Sequence, residues 1–192
     1  MYENLSVEEL IKLLKIKDQK IKILEDKINL LSDNSKKDLL TGLYNRKIVN
    51  EAYYNSSCII MCDIDNFKKI NDTYGHNCGD KVLKEVSNIL KNSVRSGDYV
   101  IRWGGEEFLI FVDCDIQNTY KLAERIRKKI KTIKITHNYD YITNISMSFG
   151  ISSTTSSLLS DIEAADEALY ESKENGKDQV RIMNLKKIKK HD

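Results

Sequence analysis

Asp98-Tyr-Val-Ile-Arg102-Trp-Gly104-Gly105-Glu106-Glu107-Phe108-Leu-Ile-Phe-Val112-Asp113 carries apolar runs on both sides of a paired glycine. That pattern predicts two strands, at 98–103 and 107–113, joined as a hairpin. Upstream, Cys58-Ile-Ile-Met-Cys62 is too short an apolar run for a buried helix and predicts a core strand at 57–63. Helical spacing recurs at 45–54, 67–72, 79–94, 118–133 and 161–175. The 79–94 segment shows it best, with Val82, Leu83, Val86, Ile89 and Leu90 on one face. Strands are expected at 142–152 and 179–183. Helices interleaved with strands, and one clear hairpin, imply an α+β domain: a mixed sheet covered by helices.

The first 32 residues read differently. Val7, Leu10, Leu14, Lys17, Ile21, Leu24, Ile28 and Leu31 follow alternating spacings of three and four, and seven of these eight are apolar. Ser6 and Glu9 fit a capping box at the start. With Val7 at position a, the a positions are mostly β-branched and the d positions mostly Leu, which favours a parallel two-stranded coiled coil with polar flanks. A polar break at 32–37 follows. The expected organisation is an N-terminal coil and linker at 1–36, a domain at 37–184 and a basic tail at 185–192.

The whole chain of 192 residues has a formal charge of +2, and its 37–180 segment has 19 basic and 21 acidic side chains. Such a balance argues against non-specific nucleic-acid binding. The longest apolar runs are five residues, so no membrane span is expected. Cys58, Cys62, Cys78 and Cys114 form no CxxC pair, and a reduced, cytoplasmic chain is the expectation. His76, His137 and His191 lack zinc-ligand spacing, and neither a P-loop nor a GxGxxG turn occurs.

The carboxylates carry the chemistry. Asp63 and Asp65 leave the end of an apolar strand, where a charge must be paired or bound to a cation. Glu106 and Glu107 sit at the hairpin tip. If the hairpin lies beside the first strand, these acids converge into a set of hard oxygen donors suited to Mg²⁺ and phosphate.

Three motifs then resemble one family. Asp38-Leu-Leu-Thr41-Gly42-Leu43-Tyr-Asn45-Arg46 is similar to its DxLTGLxNR opening, and Asp63-Ile-Asp65-Asn-Phe67-Lys68 through Asn71-Asp72 and Gly75-His76 to Gly79-Asp80 resembles its DxDxFKxxNDxxGHxxGD block. Arg102-Trp-Gly104-Gly105-Glu106-Glu107-Phe108 resembles the signature hairpin of GGDEF domains, in the GGEEF form. The resemblance implies a diguanylate cyclase, which joins two GTP into cyclic di-GMP and two pyrophosphates. It also implies a palm-like, nucleotide-cyclase-like sheet of about five mostly antiparallel strands flanked by helices.

By the same resemblance, Asp63, Glu106 and the Ile64 carbonyl would hold Mg²⁺, with Mn²⁺ as an alternative, and Glu107 would be a ligand or take part in deprotonating the attacking hydroxyl. Asn66, Phe67, Lys68, Gly104 and Gly105 would line the nucleotide, and Asn71 and Asp80 would read guanine. Lys173 and Lys177 would meet phosphate, with Lys177 standing where the family commonly has Arg. Arg95 and Asp98 match an RxxD product-inhibition site, supplemented by Arg125. Each site would hold one GTP, so two copies must face each other, and a homodimer through the coil would serve this. The other reading is a catalytically silent module that senses GTP or cyclic di-GMP and signals through its coil.

Overall fold

Alternation along the central strand decides what each helix touches. In β1 (Cys58–Ile64), Cys58, Ile60, Cys62 and Ile64 point to one side, while Ile59 and Met61 point to the other. The first set joins Phe108, Ile110, Met147 and Phe149 under α4 (His76–Lys91) and α5 (Ile116–Ile130), through Val82, Val86, Leu90, Ala123, Ile126 and Ile130. The second set joins Leu109 and Phe111 under α2 (Val49–Tyr54) and α6 (Leu158–Glu174), through Val49, Ala52, Ala165 and Leu169.

The computed structural model describes residues 7–137, 140–142, 144–155 and 157–183. Five strands form one sheet in the order β2 (Tyr99–Gly104), β3 (Glu107–Val112), β1, β6 (Met147–Ser153), β7 (Val180–Ile182). All its pairings are antiparallel except β6 with β7. This is the expected mixed, mostly antiparallel sheet flanked by helices. Gly150 lets α6 lie directly on β6, since a Cβ there would come within 2.1 Å of the Ala165 carbonyl oxygen and 2.2 Å of the Leu169 nitrogen. At the far end, the Tyr53 hydroxyl donates to the buried Asp161 carboxylate at 2.6 Å and ties α2 to α6.

Two expectations change. The strand read at 142–152 is two: β5 (Asp140–Ile142) pairs with β4 (Ile135–His137) in a separate small hairpin, and β6 starts only at Met147. Asn144, at φ 63, takes the left-handed conformation, which no continuous strand accommodates. The helix expected from 79 instead begins at His76, straight after α3 (Phe67–Tyr74), because Gly75 at φ 82 turns the chain between them.

Contacts divide the chain into Met1–Lys37 and Asp38–Asp192. The first unit contains α1 (Val7–Ser35), a single helix of 29 residues. Its seam residues Leu14, Ile21 and Leu24 are 59%, 53% and 50% exposed. The flanks are less polar than expected, for Ile11, Ile16 and Ile23 are exposed off the seam. Ser6 of the capping box and the basic tail lie outside the described residues.

Candidate active site

Register builds the site. Asp63 pairs with Glu107 of β3 on one side and Ser148 of β6 on the other. Being in phase with Ile59 and Met61, Asp63 faces α6, where Lys173 Nζ stands 2.9 Å from its Oδ2. The hairpin turn holds Glu106 over the same strand end, its carbonyl accepting from the Ile64 N–H at 3.3 Å. Glu106 and Glu107 thus lie near enough to Asp63 for their charges to act on its carboxyl. Burial pushes the Asp63 carboxyl up to about 6; Lys173 pulls against this, and the charges of Glu106 and Glu107 add to the rise.

The hairpin is clamped from outside. Gly104 pairs with Glu107, leaving Gly105 and Glu106 as a two-residue turn, and the ladder slips between Arg102 and Gly104 so that Trp103 bulges. Arg102 donates to the Gly105 carbonyl at 3.1 and 2.9 Å and reaches the Asp38 carboxylate at 3.1 and 3.3 Å. Burial pushes the Asp38 carboxyl up, but hydrogen bonds from Thr41 and Arg102 outweigh it and hold the group below its ordinary range. The Arg46 guanidinium lies 4.5 Å from the Trp103 ring centroid and its Nε donates to the Trp103 carbonyl. A Cβ on Gly104 would meet this guanidinium at 3.0 Å and Glu107 Oε2 at 3.3 Å; Gly105 faces open space.

Beside the acids, Asn66 at φ 56 turns the chain into α3. The first-turn N–H groups of α3 have no partner within the helix and favour anions. The Phe67 side chain is buried in the core, so only its backbone can face a nucleotide, while Lys68 is exposed. Asn71 on α3 packs against Gly79 of α4, where a Cβ would lie 1.9 Å from its Oδ1, and Asp80 is the next residue along α4. Lys177, at φ 63 beyond α6, donates to Asn66 Oδ1 at 2.6 Å.

Asp65 does not join the acidic cluster. It is buried and accepts from Ser146 and Ser148 hydroxyls at 2.6 Å each and from the Asp178 N–H at 3.1 Å. The sequence reading also passed over Gly150 and the Arg46–Trp103 stack. A lone glycine amid Phe149 and Ile151 was the available signal for the first.

Arg95 and Asp98 close a turn, with the Arg95 N–H donating to Asp98 Oδ2 at 3.1 Å. The Arg95 side chain is 63% exposed and also bonds the Asp113 carbonyl. Arg125 reaches the same corner through the Ser93 carbonyl at 2.8 Å.

Among the described residues, no group of three or more His, Cys, Asp or Glu side chains is arranged to hold a metal ion. The chemistry of the donors nevertheless suits a hard divalent cation: the buried Asp63 carboxylate, with Glu106 and Glu107 near it, already attracts the ammonium group of Lys173. No described helix is long and apolar enough to cross a membrane, and each cysteine is unpaired.

Comparison with known proteins follows the same lines. Residues 35–179 match the model of the diguanylate cyclase GGDEF domain. Diguanylate cyclase A of Treponema denticola is 44% identical over 128 residues, which are 65% of this chain and 34% of the relative. Diguanylate cyclase DgcS of Shewanella oneidensis is 36% identical over 157 residues, 76% of this chain and 52% of the relative. The chain thus spans about a third to a half of the length of these relatives. Among solved structures, the coiled coil and GGDEF domain of DgcB from Caulobacter crescentus, in complex with c-di-GMP, superposes with a TM-score of 0.77 at 27% identity, covering 90% of this chain and 98% of that one. Diguanylate cyclase SiaD of Pseudomonas aeruginosa, in complex with its activator SiaC, gives 0.77 at 29% identity, covering 92% and 72%. With its three motifs gathered on one sheet end and a family match over most of its length, the chain belongs to the GGDEF diguanylate-cyclase domain family.

Proposed function

We propose that this chain condenses two GTP molecules into cyclic di-GMP and two pyrophosphates. The observation that carries this reading is the convergence of Asp63, Glu106 and Glu107 beside Lys173 and the first turn of α3. Asn71 and Asp80 present an amide and a carboxylate to the guanine edge, where the carboxylate accepts from ring and amino N–H groups. Lys68, Lys173, Lys177 and the α3 amides take the phosphates, and Gly104 and Gly105 let the hairpin backbone approach. Asp63, Glu106 and the Ile64 carbonyl would hold Mg²⁺ or Mn²⁺, which supplies charge neutralisation at the phosphates when bound.

The 3′-hydroxyl oxygen of one GTP forms its bond to the α-phosphorus of the other as the bond to the bridging oxygen breaks, and pyrophosphate leaves. Glu107 either takes the hydroxyl proton or completes the cation's shell. Two such steps close the ring, so two copies of the site must face each other. The exposed Leu14–Ile21–Leu24 seam supports a parallel coil that holds the copies together and raises their effective concentration. Arg95, Asp98 and Arg125 share one corner away from the acids, which supports a product-inhibition site there.

The test is incubation of the purified chain, stripped of bound nucleotide, with GTP and Mg²⁺ or Mn²⁺. Cyclic di-GMP is the expected product. Its absence at high protein concentration, with GTP still bound, would turn the reading to a silent sensing module.

A further inference from the structure

Asp63 in β1 and Asp65 just past its end each bear on one of the three lysines assigned to phosphate. Asp63 meets Lys173 directly; Asp65 acts at one remove. Gly176, Lys177 and Asp178 are three successive residues in the left-handed region, at φ 105, 63 and 44. Two of them are not glycine, and such a conformation persists only where its surroundings enforce it. Several contacts hold the turn, including the Gly176 N–H on the Lys173 carbonyl at 3.4 Å and Arg127 on the Asp178 carbonyl at 3.1 Å. The Lys177 N–H donates to the Ser172 carbonyl at 3.1 Å, and the Asp178 carboxylate is gripped by Arg127 of α5 at 2.7 Å and by Lys131, just past the end of α5, at 2.6 Å. The Asp178 N–H, next along the chain from Lys177, donates to Asp65 Oδ2 across 113 residues of sequence. Asp65 is itself fixed by Ser146 and Ser148, and its own N–H donates to the Ser146 carbonyl at 2.9 Å.

We infer that Asp65 is a positioning residue: it pins the loop after α6 in its left-handed form and so aims Lys177 at the nucleotide phosphates. The inference rests on the proposed GTP-binding reading. Without this acceptor the Asp178 N–H must find water, Lys177 and Asp178 relax toward negative φ, and the lysine head leaves its place beside Asn66. An asparagine at 65 keeps the pin. Its oxygen accepts from Ser146 and Asp178, its amide donates to the Ser148 hydroxyl, and that hydroxyl rotates to accept.

The test measures affinity of the full chain for the α,β-methylene analogue of GTP with Mg²⁺ by calorimetry. Lys177→Ala and Asp65→Ala are each expected to weaken binding about tenfold, the scale of one charge-assisted hydrogen bond. The double variant should bind no more weakly than Lys177→Ala alone, and Asp65→Asn should bind as the unaltered chain does. Should Asp65→Ala not fold, the triple variant Asp65→Leu, Ser146→Ala, Ser148→Ala replaces the buried polar set by apolar groups of similar shape and leaves only the Asp178 N–H unpinned. It should show the same loss. Unaltered affinity in Asp65→Ala, in the triple variant or in Lys177→Ala, weakened affinity in Asp65→Asn, or losses that multiply in the double variant, would overturn the inference. An unaltered chain that does not bind the analogue sinks both this inference and the proposed function. Binding without production of cyclic di-GMP from GTP sinks only the proposed reaction.

Discussion

Lys173 Nζ and Asp63 Oδ2 lie 2.9 Å apart, so a residue assigned to phosphate sits on the carboxylate assigned to the metal. On the proposed assignment of Asp63 to the metal, the lysine and a divalent cation would compete for the same carboxylate. Lys173→Met should therefore tighten Mn²⁺ binding to the nucleotide-free chain at pH 8 by about threefold, the scale of a partly exposed ion pair, while weakening binding of GTP. Electron paramagnetic resonance of free Mn²⁺ measures the first effect. Equal or weaker Mn²⁺ affinity in the variant would refute the competition.

The raised Asp63 carboxyl links the site to stability. Its folded value of about 6 exceeds the ordinary 3.8, so the ionised form is the costly one in the folded chain. That cost is fully present above pH 6 and vanishes as pH falls below about 4. Asp63→Asn should accordingly raise stability at pH 8 by up to about 3 kcal/mol, with the advantage gone at pH 4. Urea unfolding at the two pH values decides it, and an advantage that grows toward acid would contradict the assignment.

Gly150→Ala probes the seat of α6. The added methyl meets helix backbone rather than a movable side chain, so overpacking should cost about 3 kcal/mol. Since α6 carries Lys173, GTP affinity should fall as well. A thermal scan showing an unchanged midpoint would mean that the helix can slide freely.

Removal of residues 1–34 should leave the domain folded and make specific activity drop steeply on dilution, because encounter of two copies becomes bimolecular. Activity per molecule that stays constant across a hundredfold dilution series would exclude the coil as the device that pairs the sites.

The Arg95 guanidinium pairs with the Asp98 carboxylate at 3.5 Å and the Asp113 carboxylate at 3.8 Å, so a phosphate-bearing ligand at the proposed inhibitory site would compete with both. Arg95→Ala should abolish inhibition by added cyclic di-GMP while basal turnover persists. Inhibition curves that overlay those of the unaltered chain would remove Arg95 from the inhibitory site.

Much of the site was legible because it lies on strand ends. Two strands with clear apolar runs, Cys58–Ile64 and Glu107–Val112, fix which acids stand opposite each other once they pair. Residues that act through irregular backbone were not legible. Nothing in the letters Asn-Gly-Lys-Asp announces three left-handed residues in a row, since only one is glycine. Spacing alone groups Asp65 with Asp63, yet its actual partners, Ser146, Ser148 and Asp178, are 81, 83 and 113 residues away. The break at Asn144 was hidden for the same reason: the apolar residues on both sides continue a strand-like pattern across it.

The bulge at Trp103 also gives the chain a built-in optical probe. Trp103 is its single tryptophan, stacked under the Arg46 cation and adjacent in sequence to the glycine pair. Tryptophan emission from this chain, excited at wavelengths its ten tyrosines do not absorb, therefore originates beside the hairpin turn alone. Movement of that turn, or displacement of Arg46 from the indole face, alters fluorescence with no label attached and no second fluorophore of its kind to obscure it.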